Sequence, residues 1–254
     1  MKRFSFALIL ALMFAACGKD TDSASGEGIS GSVLTDSRDG RTYKTVTIGA
    51  QTWMAENLNY ETANSYCYGD SPANCTKYGR LYTWAAAMDS AGTWSLNGVG
   101  CGYKKKCSPT YPVRGVCPKG WHLPTRTEWK TLFAAVGGSS GAGTKLKSTF
   151  GWDNNGNGTD VFSFSARPAG FRRPDGKYYY EGRNAYFWSS DEYGDDIAFD
   201  SYLRYDLADA YLSYYSNDDG FSVRCLKDDN LGKQPRNRIQ SYLGLNARSD
   251  GEKD

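Results

Sequence analysis

Apolar and polar positions keep a regular period in only a few stretches of this chain. After an Asp39-Gly40 turn, Tyr43, Thr45 and Thr47 alternate with Lys44, Val46 and Ile48. Period-two alternation places the two sets on opposite faces of a strand, and Gly49-Ala50 turns the chain into a second strand carrying Trp53. A helical spacing comes next. Leu81, Trp84, Ala85 and Met88 stand at i, i+3, i+4 and i+7, which predicts a helix over 79–89, favoured further by Ala85-Ala86-Ala87. The same spacing returns at Trp129, Leu132, Phe133 and Val136. Here the helix start is written as well: Thr125 and Glu128 have the capping-box spacing behind Pro124, and Gly137 offers a left-handed stop. Residues 92–116 show no period. From 150 onward, short aromatic and β-branched runs between Asp, Asn and Gly clusters predict strands at 161–168, 178–180, 185–189, 197–205, 210–215 and 220–226, with turns at 206–209 and 217–220. The pattern is α+β, with Leu81, Trp84, Trp121, Trp129, Leu132, Phe133, Trp188 and Val223 as much of the core.

The two ends break the pattern. Residues 1–16 combine Lys2 and Arg3 with an apolar run from Phe4 to Ala16, too short to span a bilayer, which marks a removable leader. Ala15-Ala16-Cys17 resembles the lipobox of bacterial lipoproteins, with Phe14 where Leu is usual. The resemblance implies cleavage before Cys17 and lipid on its thiol. Each buried CH₂ contributes about 0.8 kcal/mol, so two or more acyl chains hold firmly to a membrane. Residues 17–33 are rich in Gly and Ser, too polar to build a core, and are expected to be a flexible tether. Lys19-Asp20-Thr21-Asp22 is weakly similar to acidic surface-export signals of some Gram-negative lipoproteins. Residues 34–228 form the folded domain, and 229–254 a polar tail expected to be largely disordered, with a short amphipathic turn near 236–246. These features predict an outer-membrane lipoprotein facing the periplasm or the cell surface.

Charge narrows the partners. Lys+Arg number 30 and Asp+Glu 28, and loss of Lys2 and Arg3 with the leader leaves 28 of each, against a nucleic-acid partner. Beyond Cys17 there are six cysteines, an even set that in an exported chain reads as disulfides. Spacing selects Cys67–Cys75 and Cys101–Cys107 as small loops, leaving Cys117–Cys225 to staple the second half to the last strand.

Several patterns bear on chemistry. His122 is the only histidine and is expected to be a structural hydrogen-bonding residue. Gly137-Gly138-Ser139-Ser140-Gly141 matches G-x-S-x-G by letter but follows a helix, where a nucleophile elbow needs a strand before it, so it reads as a Gly/Ser loop. Asp191, Glu192, Asp195, Asp196 and Asp200 form an acidic run expected to be a solvated face, with a glycosidase pair as the catalytic alternative. Asp153-Asn154-Asn155-Gly156-Asn157-Gly158 matches the first half of an EF-hand loop, although its twelfth position is Phe164. Asp153, Asn155, Asn157 and Asp160 are the calcium ligands this reading predicts, against an Asn/Gly-rich turn. Tyr reaches 19, Trp 7 and Phe 11, enough for both a core and an exposed platform. Tyr178, Tyr179, Tyr180, Tyr186, Tyr202, Tyr211, Tyr214 and Tyr215 are the candidates, and Tyr178, Tyr180, Tyr202 and Tyr214 the expected ligand-binding residues, because neighbours in a strand face opposite ways and some must point outward.

Longer motifs carry a family. GRLYTWAAAMD, VCPKGWHLPTRTEW, GNGTDVFSFSARPAG, AYFWSS and GFSVRCLKD look like the Fibrobacter succinogenes major paralogous domain, from about Asp36 to Asp228. That resemblance implies an exported lipoprotein and names no reaction. A more distant likeness joins Gly120-Trp121-His122-Leu123-Pro124-Thr125 and Glu128-Trp129 to the formylglycine-generating enzymes. It implies a C-type-lectin-like fold: two helices on short twisted antiparallel sheets with long loops, a binding scaffold that often holds calcium. Those enzymes use a late pair of cysteines, whereas Cys225 stands alone here. The expectation is therefore a non-catalytic envelope module that recognises polysaccharide or a surface protein. The alternatives are a structural envelope protein and an enzyme of the formylglycine-generating or glycosidase kind.

Overall fold

A computed structural model of the protein describes residues 32–229. The leader, Cys17, most of the expected tether, and the tail beyond 229 with its expected turn lie outside the described residues. The fold opens with β1 (Ser32–Thr35), β2 (Thr42–Ile48) and β3 (Gln51–Met54). β4 (Ser65–Tyr66), α1 (Pro72–Tyr78), β5 (Leu81–Thr83) and α2 (Trp84–Ala87) follow. A long coil leads to β6 (Trp121–His122), α3 (Arg126–Ala135) and α4 (Ala142–Leu146). The remainder is sheet: β7 (Ala169–Arg172), β8 (Tyr178–Glu181), β9 (Asn184–Gly194), β10 (Ile197–Arg204), β11 (Ala210–Ser216), β12 (Gly220–Ser222) and β13 (Leu226–Lys227). One sheet runs β1-β2-β3-β13-β6. The other runs β11-β10-β9-β7-β12-β5-β4, with β8 added on β7. The protein is thus mixed, mostly sheet with few helices.

The last segment belongs to both sheets. The strand expected over 220–226 splits, Gly220–Ser222 pairing with β5 and Leu226 pairing with Trp53 and His122. Between them Arg224 is fully buried, and its guanidinium donates to Asn57 Oδ1 at 2.7 Å, Ser165 O at 2.8 Å, Met54 O at 3.2 Å and Phe164 O. The disulfides join Cys67 to Cys75, Cys101 to Cys107 and Cys117 to Cys225. The third closes a separation of 108 residues, a loop length for which the chain-entropy account gives about 4.7 kcal/mol.

Apolar side chains gather on both sides of the β9–β10 ribbon. Phe187 and Leu203 pack with Trp53, Trp129, Leu132, Phe133 and Phe164, whereas Tyr186 and Trp188 pack with Trp84, Trp121, Phe221 and Val223. Leu81 joins Tyr78 and Ala169 in a smaller cluster. Every residue expected in the core is buried. The α3 start has both halves of the capping box, Thr125 accepting from the Glu128 N–H and Glu128 from the Thr125 N–H.

Three local expectations change. The helix expected at 79–89 begins only at Trp84. Leu81–Thr83 is a strand because β4 and β12 flank it on both sides, and Thr83 caps the short helix by accepting from the Ala86 N–H. Residues 161–168 are not a strand. Asp160 accepts from the Ser165 N–H and hydroxyl, and Ser163 and Ser165 adopt φ of 54° and 53°, so the segment curls. The expected tether ends early, since Ser32 and Val33 already pair with Thr45 and Lys44. Helices α1 and α4 carried no pattern in the sequence reading.

Candidate functional site

Strands β9, β10 and β11 bring three tyrosines into one row. Tyr202 lies opposite Tyr186 on one side and Tyr211 on the other. The rings stack, with centroids 5.8 Å apart for Tyr186–Tyr202 and 5.0 Å for Tyr202–Tyr211. Tyr186 is buried, and Tyr202 and Tyr211 are half-buried. The array continues through Tyr215, Phe221 and Phe171, which reach Tyr186 at 5.5, 4.9 and 5.4 Å. Offset and tilted aromatic pairs at such distances add about 0.5–1.5 kcal/mol each beyond area burial, so the array is rigid. Burial pushes the Tyr186, Tyr202 and Tyr215 hydroxyls up from their ordinary pKa, leaving them neutral donors at physiological pH.

Tyr179 and Tyr180 extend the array by an unusual route. Consecutive strand residues ordinarily face opposite sides. Here both rings pack on Phe171, at 5.7 and 5.9 Å. The backbone supplies the reason: Gly170 and Tyr180 fall between the Ala169–Glu181 and Phe171–Tyr179 pairs, with φ of 61° and 63°. A left-handed aromatic residue is strained, and such strain concentrates at functional sites. Gly170 is obligatory, since a Cβ there would meet Tyr179 O at 2.1 Å. Tyr180 keeps 49% of its surface in solvent.

The four expected tyrosines therefore part company. Tyr180 and Tyr202 belong to the array. Tyr178 instead packs on Tyr68 at 5.1 Å and donates to Asp70 Oδ1 at 2.5 Å. Tyr214 lies on the other face of β11, stacked on Tyr193 at 4.4 Å. Tyr179, Tyr186, Tyr211 and Tyr215, candidates outside the expected four, are array members as well, and Phe171 is one that no pattern in the sequence suggested.

The acidic run does not form one solvated face. Asp191 accepts from the Arg126 N–H at 2.5 Å and from the Tyr111 hydroxyl at 3.1 Å. Asp200 is 0% exposed, opposite Trp188 and Ser213, and neither carboxyl oxygen has a hydrogen-bond partner among the described residues. Burial lifts its pKa well above the usual carboxylate range. It lies on the same face of β10 as Tyr202.

Three of the four expected calcium ligands spend oxygens locally, and Asn155 is exposed. Asp160 binds Ser165, Asn157 Oδ1 accepts from the Trp152 N–H at 3.0 Å, and Asp153 lies 3.4 Å from the Arg183 guanidinium. Among the described residues no three His, Cys, Asp or Glu side chains gather as a metal site. His122 is buried between Glu128 at 3.0 Å and Asp228 at 2.7 Å. Burial opposes its charge, but the two carboxylates outweigh that and its pKa rises. Cys225 is buried in its disulfide and presents no thiol.

No curated protein and no solved structure matches the chain. Over residues 46–227 it matches the Fibrobacter succinogenes major domain, and it is a member of that family.

Proposed function

We propose that this protein is a non-catalytic recognition module, held on the outer membrane by lipid on Cys17, that binds polysaccharide on its tyrosine array. The observation that carries the reading is the row Tyr186–Tyr202–Tyr211, continued through Phe171 to the exposed Tyr179 and Tyr180. Sugar rings present apolar C–H faces, and flat rings already stacked bind them with little ordering cost. The neutral hydroxyls offer hydrogen bonds at the ring edges. A C-type-lectin-like arrangement agrees with β3 and β13 pairing the two ends of the domain in one sheet. An exported location agrees with three disulfides, which persist in oxidising compartments.

The test is retention of the detergent-solubilised full chain on insoluble cellulose and xylan, with added calcium and with chelator. Retention that falls at least about tenfold in the double variant Tyr202→Ala, Tyr211→Ala, a loss of about 1–3 kcal/mol per stacking ring lost, supports the reading. Tyr178→Phe is the control and should retain fully. Equal retention of wild type and double variant, or none by either, rejects it in favour of a structural role in the envelope. A chelator effect would bring calcium into the site.

A further inference from the structure

A second recess has different chemistry. A groove of about 720 Å³ runs between β2, the end of α1 and the 160–167 segment. None of the array tyrosines lines it. Its charged lining comprises Arg41, Lys44, Lys77 and Arg167 against Glu56 and Asp160. Arg41 is paired with Asp39 and Lys77 with Glu181. The two carboxylates hydrogen-bond to neutral donors only, Asp160 holding Ser165 and Glu56 accepting from the Lys44 N–H at 2.7 Å, and both act on Arg167 through space. That leaves Lys44 and Arg167, whose side chains have no ion pair or hydrogen bond among the described residues.

Arg167 is prepared rather than loose. Its guanidinium lies 4.0 Å over the Phe150 ring, and stacking of this kind fixes the plane while leaving N–H edges unspent. Beneath the groove a further positive charge is built in. Arg224 donates to Asn57 and Ser165, both of which line the groove, yet all its partners are neutral oxygens. Asp160 and Glu56 of the same lining act on it through space, so its charge is offset in part. The rest of the lining is hydroxyl and amide, including Thr42, Thr45, Asn59, Thr76 and Ser163. The groove is far larger than one small anion fills, and its lining favours a hydroxyl-rich ligand over an apolar one.

We propose that this groove binds a carboxylate-bearing saccharide, a uronate chain, with one carboxylate held by the Arg167 fork and Lys44 at the rim. A guanidinium with free parallel N–H groups matches a carboxylate in a bidentate geometry, and such charge-assisted bonds are among the strongest available. The inference stands on residues separate from the tyrosine array and survives if stacking on neutral polymers fails.

The experiment is calorimetric titration of the detergent-solubilised full chain with oligogalacturonate, the same oligomer reduced at its carboxyls, and inorganic phosphate. Binding of the uronate oligomer is expected. It should weaken at least about tenfold in Arg167→Gln and also in Arg167→Lys, which keeps charge but loses the fork. Lys44→Gln should weaken it about threefold, since that side chain has no ion pair or hydrogen bond to lose among the described residues. Tyr178→Phe, off both the groove and the array, should leave it unchanged. Equal binding of the reduced oligomer by the wild type overturns the proposal without any variant. So does unchanged affinity in folded Arg167→Gln. Phosphate binding as tightly as the oligomer would show a simple anion site and overturn the saccharide assignment. Should Arg167→Gln fail to fold, Lys44→Gln and the reduced oligomer still decide.

Discussion

The two faces of the β9–β11 ribbon are built from adjacent residues and do opposite things. Phe187, Leu203 and Ala210 face α3 and close against Trp53, Trp129 and Phe164. Tyr186, Tyr202 and Tyr211, one position along each strand, line the other face, where burial fades from Tyr186 to the half-exposed Tyr211. Where it meets α3 that face is hydrocarbon around one buried hydroxyl, Ser201, and Tyr214 stands on it farther along β11. The array face carries rings with a hydroxyl on nearly every one. Burying a hydroxyl without a partner costs about 1–3 kcal/mol, so tyrosine is favoured only where its oxygen can meet water or a partner. The change from Phe and Leu to Tyr within one ribbon marks which face was built to be wet.

The sharpest break in this comparison comes from truncating one ring on each face. Trp129→Ala should cost about 3–5 kcal/mol in urea unfolding, because Trp53, Phe164 and Phe187 lose their common neighbour. Tyr211→Ala, half-exposed at the sheet edge, should cost under about 1 kcal/mol. Equal losses would mean that the array is core and that its exposure carries no message.

A smaller effect tests what lies on the array face. Asp200 keeps its proton in the folded state at pH values where the unfolded chain, with an ordinary pKa of 3.8, releases it. An acid whose folded pKa is raised withdraws stability as pH climbs above the unfolded value. Wild type should therefore lose stability relative to Asp200→Asn between pH 4 and neutrality, measured as the difference in urea midpoint. A constant difference across that range would place a partner on Asp200.

The smallest effect belongs to the start of α3. His122, held between Glu128 and Asp228, has its pKa raised above 6.5. Its charged form contributes stability that is complete below 6.5 and lost as pH rises through the folded value. The deficit of His122→Gln against wild type should be larger at pH 5.5 than at pH 8.5 in thermal melts. A deficit independent of pH would reduce the residue to neutral packing.

Some of this could be read directly from the chain. Helix α3 was legible in full, from the Thr125 and Glu128 cap to the Trp129, Leu132, Phe133 face, because its determinants lie within a dozen residues. The array was legible only by face. The strands as expected, 197–205 and 210–215, set Tyr202 opposite Ser213. The observed pairing of Leu203 with Ala210 moves its partner to Tyr211 without changing the side. Tyr180 could not be placed at all, since strand alternation assigns it away from Tyr179. Nor could Asp200 be told from its acidic neighbours.

By itself the sequence determined the pairing of close cysteines, the capped helix, the family and the identity of the large core residues. Each depends on short spacing or on hydrophobicity, which act within one segment. Tertiary structure alone decided that Leu81–Thr83 is strand, that Tyr179 and Tyr180 share a side, that Asp200 is buried and that Arg167 stacks on Phe150 with no ion pair among the described residues. Those outcomes depend on what packs against a residue from far along the chain: β12 against β5, Gly170 against Tyr180, Trp188 against Asp200, Phe150 against Arg167. Local preference is worth a fraction of a kcal/mol per residue, and a pairing strand or a buried charge outweighs it.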